Sequence, residues 1–184
     1  MIKEKDSVNI VLIGMSGAGK TLVGKYISKI LNKEFIDTDD VIINITGKTI
    51  DHIFKEYGED YFRQMEKNTI KEVSSFYNKV ISTGGGVVLD KENIRMLKYN
   101  GIIFYLSASV DTLYKNLSLN IRKDDRRPLL KYSKDLMEDI IKLYNNRKNL
   151  YISSADYIVN VDGKSYESVG NEIISIFDSI YSCS

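Results

Sequence analysis

One stretch constrains this chain more than any other: apolar Ile10, Val11, Leu12 and Ile13 lead straight into Gly14, Met15, Ser16, Gly17, Ala18, Gly19, Lys20 and Thr21. The spacing is that of a phosphate-binding loop (P-loop), placed where such a loop must stand, between the end of a strand and the start of a helix. Its glycines let the backbone turn tightly enough for successive N–H groups to line a concave nest. The helix that follows points its positive dipole end at the bound anion. Lys20 is placed to reach the β- and γ-phosphates, and Thr21 to offer its hydroxyl to Mg²⁺. The plainer alternative is a glycine-rich turn, but all eight positions match the motif and the flanking context matches too.

Around this loop the chain has room for a single domain, residues 1–184, because 43% hydrophobic content can bury a sizeable core. A net charge of +1 gives no broad basic field, so neither nucleic acid nor an anionic membrane is the expected partner. No apolar run approaches the ~20 residues that span a bilayer, and residues 1–6 alternate charges without an apolar core, so a cytoplasmic protein is expected. A lone Cys183 excludes an internal disulfide framework and a cysteine metal cluster. Lysine carries most of the basic charge and arginine occurs only at 63, 95, 122, 126, 127 and 147. Each arginine is therefore worth weighing as a planar grip on a carboxylate or phosphate.

The spacing predicts a helix over 19–31, with Leu22, Val23, Tyr26, Ile27 and Ile30 on its buried face, and then a short strand over 34–36. That strand ends at Asp37, Thr38, Asp39 and Asp40, on the edge where open α/β sheets bind ligands. The alternative role for Thr38 or Asp39 is a helix N-cap. From 41 to 77 helical segments break at Gly47 and Gly58, with Thr49 as an N-cap between them. This excursion is too long for a simple crossover, so a flap over about 40–77 is expected to hold a second substrate. Within it Arg63 and Glu66 stand at i,i+3, close enough to pair at a site or as a surface ion pair. His52 has no Cys or His ligand near it and reads as structural.

A third strand over 79–82 runs into Thr83, Gly84, Gly85 and Gly86. Three glycines in a row forfeit backbone entropy and packing, so a ligand or another backbone is expected to approach closely there. Asp90 caps a helix to 97, a fourth strand spans 102–106, and another helix spans 110–119. The stretch 118–131 carries Arg122, Arg126, Arg127 and Pro128; its charge and proline argue against a packed element and for a mobile lid. A helix over 133–151 aligns Ile140, Tyr144, Arg147 and Tyr151. Arg147 faces inward and needs an anion, either a substrate or an internal ion-pair partner. A fifth strand over 157–161 and a helix over 166–177 complete a three-layer α/β fold with a five-stranded parallel sheet.

Residues 14–21, the Asp37-Thr38-Asp39 cluster, Phe62-Arg63 with Glu66, Ser82 to Gly86, Arg127-Pro128-Leu129-Leu130 and Arg147 resemble, in order and approximate spacing, the shikimate kinase family. The resemblance covers nearly the whole chain. It implies transfer of the ATP γ-phosphate to the 3-hydroxyl of shikimate, in aromatic amino-acid biosynthesis. It also implies that Lys20 and Arg127 neutralise the transferring phosphoryl group, while residues 14–21 and Arg127 bind ATP. Thr21 would ligate Mg²⁺ and Asp37 would hold a metal-bound water. Asp39 would bind the attacking hydroxyl and accept its proton. Arg63 and Arg147 would clamp the substrate carboxylate with Glu66 orienting Arg63, and Gly84, Gly85 and Gly86 would let the backbone approach the ring. Many relatives carry an adenine-stacking arginine where this chain has Asn120, so the resemblance implies either weaker and less adenine-selective ATP binding or a replacement, Arg122 or Arg126, from the same loop.

Two other classes compete. A gluconate-type kinase shares the loop and flap, yet the triple glycine and the separated arginines favour a small carboxylate-bearing polyol. A GTPase switch needs Asp-x-x-Gly and Asn-Lys-x-Asp segments, and neither occurs. ATP and shikimate are the expected partners, and a monomer is expected.

Overall fold

The computed structural model describes residues 5–118, 128–131 and 133–182. Residues 10–13 are apolar without alternation, as a strand buried on both faces must be, and each is 0% exposed. They lie in the central strand of a five-stranded parallel sheet of order β2-β3-β1-β4-β5. The strands are β1 (Asn9–Ile13), β2 (Glu34–Asp37), β3 (Lys79–Ser82), β4 (Gly101–Ser107) and β5 (Tyr157–Asn160). Register decides where the loops emerge. Ser82 pairs with Leu12 on one side and Asp37 on the other, so β1, β2 and β3 end together and their following turns lie side by side.

The chain crosses from β1 to β2 in one direction and from β3 to β4 in the other. Right-handed crossovers then put α1 (Lys20–Leu31) and α4 (Lys91–Asn100) on opposite faces. Helix α8 (Tyr166–Ser182) joins α1, while α5 (Val110–Ser118) and α7 (Leu136–Ser154) share the face of α4. Between β2 and β3 run α2 (Thr38–Thr46) and α3 (Ile50–Val73). Gly47 ends α2 at φ 65°, Thr49 caps α3 by accepting from the His52 amide, and Gly58 interrupts α3 at φ 84° and ψ 173°. His52 is exposed, with its ring Nε2 2.7 Å from Glu56 Oε2.

Three expectations need correction. Helix α1 buries Val23, Gly24 and Ile27, whereas Leu22 and Ile30 are 59% and 54% exposed. The helix is seated on Gly24, where a Cβ would stand 2.6 Å from the Phe35 ring, so its contact face is narrower than its apolar stripe. The N-cap of α2 is Asp37, not Thr38 or Asp39. The last four residues of the expected lid form a helical turn, α6 (Pro128–Lys131), with proline at the first position, where a missing N–H costs nothing, and Leu130 buried. Asn120, Arg122, Arg126, Arg127 and Cys183 lie outside the described residues, as does most of the lid. Among the described residues no helix is long and apolar enough to cross a membrane.

Candidate active site

Gly14, Gly17 and Gly19 adopt φ of 147°, 89° and 87°, conformations that side chains strain to enter. Space is short as well: a Cβ on Gly14 would stand 2.7 Å from the Leu106 carbonyl oxygen, and one on Gly17 2.9 Å from Leu117 Cγ. The loop is thus wedged against β4 and α5, with Ala18 and Met15 buried beside it. Lys20 is buried and donates to the carbonyls of Gly14 at 2.8 Å and Met15 at 3.0 Å. The Thr21 hydroxyl donates to Asp37 Oδ2 at 2.9 Å, and Asp37 Oδ1 accepts from the Asp39 amide at 3.1 Å. One carboxylate therefore joins the first turn of α1 to the first turn of α2. Thr21 and Asp37 form a pair of hard oxygen donors of the kind Mg²⁺ prefers. Among the described residues no three His, Cys, Asp or Glu side chains converge, so such an ion would draw its other ligands from phosphate and water.

Residues 16–23 line a cavity of about 940 Å³ together with Asp37, Asp39, Thr112, Asn116 and the turn after β5. A second, tighter cavity of about 60 Å³ is walled by Phe54, Phe62 and Leu143 and carries Arg63, Glu66 and Arg147. Glu66 is 2% exposed; its Oε2 accepts from Arg63 Nη1 at 2.8 Å and its Oε1 has no hydrogen-bond partner among the described residues. Burial drives this carboxyl above its usual pKa, against the opposing pull of Arg63 and then Arg147. Glu59 holds the other edge of the Arg63 guanidinium at 2.9 Å.

The triple glycine is explained by these side chains. A Cβ on Gly86 would lie 2.1 Å from Arg63 Nη1, and one on Gly84 would lie 2.9 Å from both Asp39 Oδ1 and Glu66 Oε1. Gly84 also donates its amide to Thr38 at 3.1 Å. The Gly85 carbonyl accepts from Arg147 Nη1 at 3.1 Å and from the Tyr151 hydroxyl at 2.5 Å. Arg147 thus makes no ion pair among the described residues; a carbonyl holds one of its nitrogens. Tyr151 stacks on Tyr105 at 5.0 Å, and burial raises its pKa, so the hydroxyl keeps its proton.

Ser16, Asp39 and Gly85 line both cavities. The expected residues are thereby brought to one strand edge, except Arg127, which lies outside the described residues. Sequence reasoning missed the far walls. Asn116 donates to the Gly17 carbonyl at 2.8 Å, and Asp162 accepts from the Ser109 amide at 3.0 Å, fixing the turn after β5. The Asp162-Gly163 pair directly beyond a strand was the available signal, and Tyr151 was visible only as one member of an apolar stripe.

A nucleotide-sized cavity built on a P-loop, sharing a wall of Ser16, Asp39 and Gly85 with a pocket of guanidinium groups, defines a kinase that phosphorylates a small anionic molecule. Similarity to known proteins narrows that class. The family described as shikimate kinase matches over residues 16–178. The shikimate kinase of Caldicellulosiruptor bescii is 45% identical over 168 residues, 91% of this chain and 94% of the relative. The structure of shikimate kinase from Acinetobacter baumannii in complex with shikimate matches at TM-score 0.89 and 32% identity, over 96% of each chain. That from Bacteroides thetaiotaomicron matches at TM-score 0.83 and 36% identity, over 93% of this chain and 98% of the other. This chain belongs to the shikimate kinase family.

Proposed function

We propose that this protein transfers the γ-phosphate of ATP to the 3-hydroxyl of shikimate, acting as a cytoplasmic monomer with a flap over about 40–77 and a lid over about 118–131. The observation that carries the reading is the wall shared by the two cavities, Ser16, Asp39 and Gly85. A phosphoryl group held on the loop side and a hydroxyl held on the arginine side meet at Asp39. Phosphoryl transfer asks a protein for in-line positioning and charge neutralisation more than for covalent chemistry.

On this reading the amides of residues 14–19 cradle the phosphates, and Lys20 exchanges its carbonyl partners for phosphate oxygens. Thr21 and Asp37 would hold Mg²⁺, Asp37 through water, and the ion would offset phosphate charge. Asp39 orients the hydroxyl and takes its proton. Arg63, fixed between Glu59 and Glu66, and Arg147, fixed on Gly85, present guanidinium edges to the substrate carboxylate. Gly84, Gly85 and Gly86 keep the backbone low enough for the ring to lie against it. Arg127 joins Lys20 at the transferring group by family resemblance alone.

The test is ADP release with MgATP across shikimate, quinate, gluconate and nucleoside monophosphates. Shikimate-dependent release is expected, and turnover of gluconate without shikimate would sink the reading. Arg63→Lys and Arg147→Lys keep the charge but lose the planar fork. Each is expected to raise the KM for shikimate about 10-fold or more while the KM for ATP moves less than about twofold. An unchanged shikimate KM in both variants would reduce these arginines to structural groups.

A further inference from the structure

We infer that Tyr151 is a positioning residue for the acceptor: by holding the Gly85 carbonyl itself, it lets Arg147 turn to a substrate carboxylate without stranding that carbonyl. The inference rests on the anionic-acceptor reading above and adds to it a residue that touches neither substrate. Tyr151 is 0% exposed and lines neither cavity, but it stands one turn beyond Arg147 on α7, so the two side chains share a face. Both donate to one atom. The Gly85 oxygen accepts from Arg147 Nη1 at 3.1 Å and from the Tyr151 hydroxyl at 2.5 Å. A carbonyl oxygen has two lone pairs, so these two donors fill it, and the phenol is the closer of them.

The second donor matters once an anion enters. A carboxylate gripped by the flat edge of Arg147 draws the guanidinium away from Gly85, and an acceptor ring lying on the glycines shuts water away from the same carbonyl. Left unpaired there, the carbonyl would oppose binding. Gly85 cannot turn to seek another donor, because a Cβ on it would stand 3.2 Å from Ser16 Oγ and 3.3 Å from the Ser16 nitrogen, and its peptide is packed against the P-loop. Tyr151 is equally confined. Its ring stacks on Tyr105 with centroids 5.0 Å apart and planes at 14°, and the other acceptor within reach of its hydroxyl, Met15 Sδ at 3.6 Å, is a weak one. Burial keeps the phenol protonated, so the donor is always present.

Calorimetric titration of shikimate, quinate and ATP into the parent, Tyr151→Phe, Arg147→Met and the double variant tests this. Phenylalanine keeps the ring and its stack on Tyr105 and deletes only the hydroxyl, so the fold is retained. Tyr151→Phe is expected to weaken shikimate at least about 5-fold and to leave ATP within about twofold. In the Arg147→Met background the same change should cost less than about twofold in shikimate affinity, because the phenol acts through the guanidinium. A purely structural phenol would instead give equal losses in both backgrounds, or weaken ATP in step with shikimate. Either result, or shikimate affinity unmoved by Tyr151→Phe, would overturn the inference while leaving the shikimate reading in place. If the parent binds quinate in place of shikimate and the same pattern is seen with quinate, the shikimate reading fails and this one stands. If the parent binds neither carboxylate, both fail.

Discussion

Asp39→Asn is expected to lower turnover with shikimate by at least about 10²-fold, the usual contribution of a positioned acid–base group, with the thermal midpoint almost unmoved. The cap of α2 belongs to Asp37, so the Asp39 carboxylate is not needed to start the helix. Asparagine keeps its volume beside Gly84 and can still accept a hydrogen bond, but it cannot take a proton. Steady-state kinetics at saturating ATP and shikimate, with a melting curve alongside, gives the answer. Activity within a few-fold of the parent would leave Asp39 as no more than a lining residue.

A loss of about 10²- to 10³-fold in kcat is expected for Lys20→Met, the range seen when one preorganised donor to a developing charge is removed. Methionine retains most of the buried stem and its packing while deleting the ammonium group. The Gly14 and Met15 carbonyls lose their donor, but the positive-φ glycines and the Thr21–Asp37 bond still shape the loop. Single-turnover measurements distinguish this from weakened ATP binding. A variant whose kcat is intact and whose ATP KM alone has risen would show that Lys20 binds the ground state without favouring the transition state.

The P-loop, the acidic cluster and the triple glycine were legible because each concentrates its chemistry in a few consecutive residues, and strand polarity then forces them to one edge. The breaks at Gly47 and Gly58 were equally plain, since helical patterning stops at both. Periodicity could not say how wide the buried face of α1 is, because that depends on Gly24 meeting Phe35 from a different element. Nor could it choose among Asp37, Thr38 and Asp39 for the cap, a matter of one backbone torsion. Tyr151 and Asn116 act through carbonyls of glycines distant in the chain, Gly85 and Gly17, and such pairings have no local trace.

Gly47 and Gly58 have no atom within 4 Å of where a Cβ would stand, so nothing but their positive φ demands glycine there. The segment between them brings Ile50 and Phe54 to the wall of the smaller cavity. Water is itself a hydroxyl nucleophile, and any phosphoryl donor left open to solvent is spent on it. On the flap reading, the fidelity of the reaction, meaning the share of ATP that ends as ester and not as free phosphate, depends on two backbone torsions. A side chain at either glycine, by straining the positive-φ turn that sets this segment, would on that reading waste nucleotide before it slowed the chemistry.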